Sequence, residues 1–146
     1  GCSFFGGNQV DYTYWEPSLS PDGQSLVYES PVEDNLELFV RNLQTDEERQ
    51  LTSNEYADWS PAWSPEGDRV VFASSRNDNV DIYTIDLADF AVERLTTHEA
   101  DDINPNCGVD GRVYFNSNRS GAWEIYAIDP TDKTLVKITE VATPSQ

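Results

Sequence analysis

Short apolar runs alternate with polar turns along almost the whole chain. Residues 81–86, Asp-Ile-Tyr-Thr-Ile-Asp, follow the polar–apolar alternation of a half-buried β-strand. Residues 69–74 and 113–115 are rich in β-branched and aromatic side chains, which also favours strands. No stretch of any length shows a helical pattern. The arrangement of apolar and polar positions therefore predicts an all-β protein.

This pattern is an internal repeat. Prolines recur at intervals of 44 residues, at Pro17, Pro61 and Pro105. Glycines recur at the same interval, at Gly23, Gly67 and Gly111. The three copies cover residues 16–52, 60–96 and 104–139, and the third is one residue shorter. They lie within a region of blades at residues 11–146, which residues 1–10 precede.

Each copy contains four runs that read as strands. In the second copy these are residues 62–64, 69–74, 81–86 and 93–96, with a Pro-Glu-Gly-Asp turn after the first. Repeats of about 40–45 residues with four short strands are typical of β-propeller blades. We therefore predict a propeller segment of three four-stranded antiparallel blades.

The repeat resembles that of the TolB-type propellers. Its second copy reads Ser-Pro-Ala-Trp-Ser-Pro-Glu-Gly, then an apolar strand, Ser-Ser-Arg, Asp-Ile-Tyr-Thr-Ile-Asp and a closing Leu-Thr. The resemblance covers residues 11–139 and implies an extracytoplasmic protein, periplasmic or at the cell surface. Similar repeats occur in the periplasmic TolB protein, in gating propellers of oligopeptidases and in surface lipoproteins.

Two copies depart from the pattern of this family. In the first, Leu19 and Val32 stand where the second has Trp63 and Arg76. In the third, Cys-Gly-Val at 107–109 replaces Trp-Ser-Pro. The resemblance is specific for the fold and weak for function, because a fold alone does not define an activity.

Three blades are fewer than the roughly four to eight with which propellers close. The spacing places the start of a further copy just past Gln146. The chain is then a piece of a longer propeller, or two copies complete a six-bladed ring, or a partner covers the open ends. The spacing favours the first alternative.

The charge of the chain restricts its partners. Twenty-seven Asp and Glu residues against nine Lys and Arg residues give a net charge of −18. Repulsion from phosphates excludes nucleic acid as a partner. The charge suits cationic partners, divalent ions or a saline habitat, in which salt screens the self-repulsion.

The N-terminal segment, residues 1–10, is predicted to be a flexible tether. Gly1-Cys2-Ser3 resembles the end of a lipoprotein signal, which implies that Cys2 carries a lipid. Such an anchor would be the only contact with a membrane, since no run of about 18 apolar residues occurs. The alternatives are a plain cysteine or a disulfide with Cys107, whose inner-strand position instead predicts burial as a small hydrophobic residue.

Motifs of catalysis are missing from the sequence. It has no Gly-x-Ser-x-Gly, no Cys-x-x-Cys and no Walker or dinucleotide glycine pattern. The single histidine, His98, begins a His-Glu-Ala-Asp-Asp stretch that lacks the second histidine of a zinc site. We therefore expect a protein that is not an enzyme and has no resident cofactor.

Acidic residues recur in the connections between blades, at Asp11, Glu55, Asp58, Glu99 and Asp102. In a propeller such connections ring one mouth of the central channel. Converging carboxylates there would concentrate cations, so the sequence predicts a site for Ca²⁺, Mg²⁺ or a basic peptide. The alternative is that each acid caps a local turn through its own backbone.

Two further features concern side chains on hairpins. Arg76 and Arg119 are expected to pair with Asp81 and Glu124 on the adjacent strand. Trp123 has no aromatic counterpart in the other copies, so it is either a surface recognition residue or part of the packing between blades.

The favoured function is a non-catalytic protein-binding scaffold in a cell-envelope or surface assembly. One alternative is an accessory or gating propeller of a peptidase or polysaccharide-acting enzyme. The other is a structural subunit of a large complex.

Overall fold

The computed structural model describes residues 15–140, which contain twelve β-strands and no helix. The first blade consists of β1 Trp15–Leu19, β2 Ser25–Val32, β3 Asn35–Asn42 and β4 Glu48–Gln50. The second consists of β5 Asp58–Trp63, β6 Arg69–Asn77, β7 Asn79–Asp86 and β8 Val92–Arg94. The third consists of β9 Asp102–Cys107, β10 Val113–Ser117, β11 Glu124–Ile128 and β12 Leu135–Lys137.

Each blade is one four-stranded antiparallel sheet in which neighbours along the chain are neighbours in the sheet. The second and third blades have the same order and direction. The prediction of an all-β propeller segment with three antiparallel blades is confirmed. Its sheets do not close into a ring within the described part of the chain.

The inner strand of each blade contains an irregularity at its repeated proline. Pairing of β5 with β6 is interrupted between Trp59 and Ala62, on either side of Pro61. Ser60 there has a φ of 53°, and Asn104 at the matching place in β9 has a φ of 55°. Proline has no backbone N–H to give to the ladder, so the strand bulges at this position. The inner strand consequently begins at Asp58, four residues before the predicted start at 62.

The turn after each inner strand forms as the glycine spacing predicted. Gly67 has a φ of 75°, and its N–H donates to the carbonyl of Ser64 at 3.0 Å. The same turn closes with Gly23 in the first blade and Gly111 in the third. Glycine has little steric cost in this left-handed region, which explains its recurrence.

Two apolar layers hold the blades together. Between the first and second blades, Val27, Leu38 and Leu51 share a buried cluster with Phe72 and Tyr83. Between the second and third blades, the buried cluster contains Val71, Ile82, Leu95, Phe115 and Tyr126. We call the side of a blade that packs against the following blade its forward face, and the opposite side its rear face.

Equivalent aromatic residues stack on the rear face of each blade. Ring centroids are 5.9 Å apart for Tyr28 and Phe39, 5.9 Å for Phe72 and Tyr83, and 6.1 Å for Phe115 and Tyr126. Stacked pairs of this kind add to the energy of area burial. Extensive contacts between blades join the first to the second and the second to the third, so the described blades form an open arc. Within the described residues, nothing folds into a helix suited to span a lipid bilayer.

Candidate functional site

The acids predicted at the channel mouth divide into two groups. Glu55 and Glu99 lie exposed on the connections that lead into the second and third blades. Asp58 and Asp102 are the first residues of β5 and β9 and are fully buried. Asp11 lies outside the described residues.

Each buried aspartate is neutralised by an arginine of its own blade. Arg76 lies 3.0 Å from Asp58, and Arg119 lies 3.0 Å from Asp102. The partners expected from the sequence were Asp81 and Glu124, so this part of the interpretation needs correction. The bulge places the start of the inner strand beside the end of the second strand, where the arginines are.

Asp81 takes a different arginine. It binds Arg94 of the outer strand at 2.5 Å, a contact that was not predicted from the sequence. Burial raises the pKa of the Asp81 carboxyl, and the hydrogen bond from Arg94 opposes that rise. The pair ties β7 to β8 at the edge of the sheet, so its role is structural.

A threonine–acid contact repeats in every blade. Thr52 donates to Glu37 at 2.5 Å, Thr96 to Asp81 at 3.4 Å and Thr139 to Glu124 at 2.5 Å. The same threonine oxygens accept the N–H groups of Leu38, Ile82 and Ile125, each at 2.9 Å. This explains the closing threonine of the repeat, which anchors the chain after the outer strand. These acids are therefore occupied in holding the fold.

His98 caps a turn. Its Nδ1 accepts the N–H of Ala100 at 2.9 Å, just as the Oδ1 of Asn54 accepts the N–H of Tyr56 at 2.8 Å in the preceding connection. His98 therefore caps this turn in the same way as Asn54 caps the turn of the preceding connection. Across residues 15–140, no three His, Cys, Asp or Glu side chains converge in a group that suits a metal ion.

The inner strands line a concave groove on the axis of the arc. Its volume is about 310 Å³, and its lining comes from the repeated prolines and their neighbours: Pro17, Ser18, Ser60, Pro61, Ala62, Asn104, Pro105 and Asn106. The groove is lined by uncharged side chains. The carboxylates of the connections do not line it, because Asp58 and Asp102 turn inward to their arginines.

Cys107 lies at the end of β9 and packs, partly buried, against the cluster between the second and third blades. Burial, and to a smaller extent the charge of Glu66, raises the pKa of the Cys107 thiol to about 11. A thiol protonated at neutral pH is a weak nucleophile, which fits the predicted packing role. Cys2 lies outside the described residues.

The forward face of the third blade is exposed. Ile125 is 39% exposed, whereas Leu38 and Ile82 at the same position of the other blades are 0% exposed. Ile138 is 47% exposed, against 6% for Leu51 and 3% for Leu95. These residues were not predicted from the sequence, although aligning the copies position by position identifies them.

Trp123 belongs to the same exposed face. It precedes β11 at the position that Val80 holds in β7, and Val80 packs against the cluster between the second and third blades. Trp123 is 48% exposed. The repeat thus accounts for the location of this tryptophan.

Comparison with known proteins agrees with this geometry. A family model described as the TolB beta propeller domain matches residues 8–143. TolB from Acinetobacter baumannii is 25% identical with a TM-score of 0.77, over 87% of this chain and 32% of that chain. A putative TolB from Agrobacterium tumefaciens is 22% identical with a TM-score of 0.79, over 88% and 50%.

A puromycin-hydrolysing peptidase from Mycobacterium tuberculosis shares the fold as well. It is 18% identical with a TM-score of 0.72, over 88% of this chain and 22% of that chain. A search of the curated proteins found no match. The chain thus spans a half or less of each of these relatives. The extent of the family match and the three four-stranded blades together establish that this chain belongs to the TolB β-propeller domain family.

Proposed function

We propose that this chain is a non-catalytic, protein-binding part of a TolB-like propeller, working outside the cytoplasm in a cell-envelope or surface assembly. The observation that carries the proposal is the exposed forward face of the third blade. Ile125, Ile138 and Trp123 present apolar surface at positions that the other blades bury against a neighbouring blade. An exposed apolar patch of this kind is typical of a protein interface.

The negative charge of the chain is a second observation that supports the proposal. The chain has a net charge of −18, and Glu55 and Glu99 are exposed on successive connections. A basic partner is attracted to such a surface over a distance of about 10 Å at moderate salt. Binding of Ca²⁺ or Mg²⁺ by the exposed carboxylates of the connections, Glu55 and Glu99, is a separate proposal, to be tested by ion titration of the wild type and of the Glu55→Gln variant.

Site-specific photo-crosslinking in the native host tests the proposal. A photoreactive phenylalanine derivative at Ile125 should capture a protein of the envelope, identified by mass spectrometry of the joined peptides. The same probe at Thr131, on an exposed turn of the third blade, is the matched control. Equal labelling at both positions would reject a specific interface.

Capture of another segment of the same polypeptide would have a different meaning. The face would then be filled by a further blade of the same propeller, and recognition by this face would be excluded. Capture of a second copy would favour a ring completed by self-association. Light scattering separates these cases, because a ring of two copies has twice the mass of the denatured chain.

An accessory or gating propeller of a peptidase is the second candidate. The match to the puromycin-hydrolysing peptidase favours it, since this chain would be one part of a longer protein, as the 22% of that peptidase which it covers suggests. The sequence and activity of the full polypeptide distinguish this candidate from the first. A Gly-x-Ser-x-Gly motif together with peptidase activity would support it. A structural subunit of a large complex, the third candidate, is expected to be stable only when purified with its neighbours.

The lipid anchor at Cys2 remains a proposal of its own. The resemblance of residues 1–3 to the end of a lipoprotein signal supports it. Mass spectrometry of the N-terminal peptide from the native host tests it. Added mass that fits acyl chains on Cys2 is the expected result, and an unmodified peptide excludes the anchor.

A further inference from the structure

We propose that the cavity beside Cys107, between the second and third blades, binds a single uncharged indole-type ring. The cavity has a volume of about 240 Å³. The proposal is independent of the protein-binding function, because it concerns a different surface of the molecule.

The repeat itself provides the template for the ligand. Trp63 pairs with Val70 at the end of β5, and Cys107 pairs with Val113 at the end of β9, so the two residues hold the same position. In the second blade that position carries an indole; in the third it carries a thiol. The indole side chain that fills the interface between the first and second blades is thus missing from the interface between the second and third blades.

The space left by this exchange is visible in the cavities. Trp63 lies in the cluster that buries Val27, Leu51 and Val70 between the first and second blades. At the second interface the equivalent residues are Val71, Leu95 and Val113, and all three line the cavity beside Cys107. The matching cavity beside Trp63 does not reach Val27, Leu51 or Val70. The tryptophan therefore closes the apolar end that the cysteine leaves open.

The polar part of the template is also repeated. The indole N–H of Trp63 donates to the carbonyl of Ser18 at 2.7 Å. Ser18 pairs with Val27 in the first blade, and Ala62 pairs with Val71 in the second. Ala62 is thus the counterpart of Ser18 at the second interface, and we expect its carbonyl to accept the ring N–H of a bound ligand. An apolar ring with one N–H donor satisfies both parts of the site.

Size and charge narrow the class of ligand. An apolar cavity of about 150 Å³ is enough to bind benzene, so the larger cavity here accommodates a bicyclic ring. The charged residues that line it are Glu66, Asp68 and Arg69, and Arg69 lies 4.0 Å from Asp86. Carboxylates exceed arginines among these lining residues, which disfavours an anionic ligand. Neutral indole should consequently bind better than indole-3-acetate.

Titration with free indole, followed by NMR of the intact chain, tests the site. Saturable shifts should appear at residues around Val71, Leu95 and Val113. Cys107→Trp should fill the cavity as Trp63 does and weaken indole binding at least tenfold. Cys107→Ala, which keeps the cavity open, is the matched control and should retain binding. Equal binding by wild type and Cys107→Trp, or no saturable shift in wild type, would overturn the proposal.

A second measurement needs no substitution. Indole in the cavity should slow alkylation of Cys107 by iodoacetamide, measured on the Cys107 peptide so that Cys2 does not interfere. At saturating indole we expect at least a fivefold slower rate for Cys107 and an unchanged rate for Cys2. An unchanged rate for Cys107 would contradict the proposal even if Cys107→Trp failed to fold.

Discussion

Arg119 donates from one guanidinium nitrogen to both carboxylate oxygens of Asp102, at 3.0 Å each. The aspartate side chain is completely buried and that of the arginine is 14% exposed. The same guanidinium lies over the rings of Phe115 and Tyr126. The pair therefore joins the inner strand to the aromatic stack of the third blade, and Arg76 repeats this arrangement with Asp58 in the second.

Removal of this arginine should destabilise the fold strongly. In Arg119→Leu the Asp102 carboxylate stays buried without its cation, and breaking a buried pair in this way costs about 3–5 kcal/mol. Urea denaturation measures the loss. Adding Asp102→Asn should restore part of the stability, because the uncompensated charge is then gone.

The control for that experiment is Arg69→Leu. Arg69 lies 4.0 Å from Asp86, and both side chains are substantially exposed. An exposed pair contributes roughly 0–1 kcal/mol. Equal losses for Arg119→Leu and Arg69→Leu would show that the buried pair is not a special support of the blade.

Replacing the closing threonine of a blade should lower the free energy of unfolding more than replacing the residue after it. Thr96→Val deletes the oxygen that accepts the N–H of Ile82 at 2.9 Å and donates to Asp81. An unsatisfied buried N–H costs about 1–3 kcal/mol. Thr97→Val, at an exposed position, should change the free energy of unfolding by about 0.5 kcal/mol or less. Similar values for the two variants in thermal denaturation would contradict the anchoring role.

Equivalent positions on two forward faces should respond differently to truncation. Ile82→Ala removes a side chain with no exposure and should cost about 2–5 kcal/mol. Ile125→Ala should cost about 1 kcal/mol or less in the isolated chain, since Ile125 is already 39% exposed. Chemical denaturation of both variants gives the comparison. An equally large loss for Ile125→Ala would mean that this face is already packed.

Asp110 should make stability depend on pH in the acid range. The backbone N–H of Arg112 and then the hydroxyl of Tyr114 lower the pKa of the Asp110 carboxyl to about 2, from an ordinary value of 3.8. A lowered folded-state pKa means that the contribution to stability is complete above about 3.8 and is lost as the pH falls towards about 2. Carbon-detected NMR titration measures this pKa directly. In Asp110→Asn the loss of stability over that interval should shrink; a carboxyl that titrates near 3.8 would contradict the assignment.

Much of the architecture followed from local pattern. The prolines, the turn glycines and the apolar runs recur at one spacing, and each strand and turn depends mainly on residues close to it in sequence. The blade boundaries near Asp58 were harder to predict. The bulge at Pro61 extends the inner strand backwards, and its pairing with β6 depends on a residue in another strand.

The contacts of the candidate site residues were harder to predict from the sequence than the fold. The repeat located Glu55, Glu99, Asp58 and Asp102 in connections, but spacing alone does not reveal which carboxylate meets a cation. Two of them turn inward to arginines 17 and 18 residues away. Likewise, Trp123 looked like an isolated aromatic until the position of Val80 in the interface explained it.

By itself the sequence determined the repeat, the strand class and the excess of negative charge, because these depend on residue type and spacing. Only the tertiary structure decided which acids are neutralised and which apolar side chains remain in solvent. Both outcomes depend on residues from different strands and blades coming together. Ile82 and Ile125 hold equivalent positions in the repeat, but Ile82 is buried in the cluster with the third blade, whereas Ile125 is exposed within the described residues.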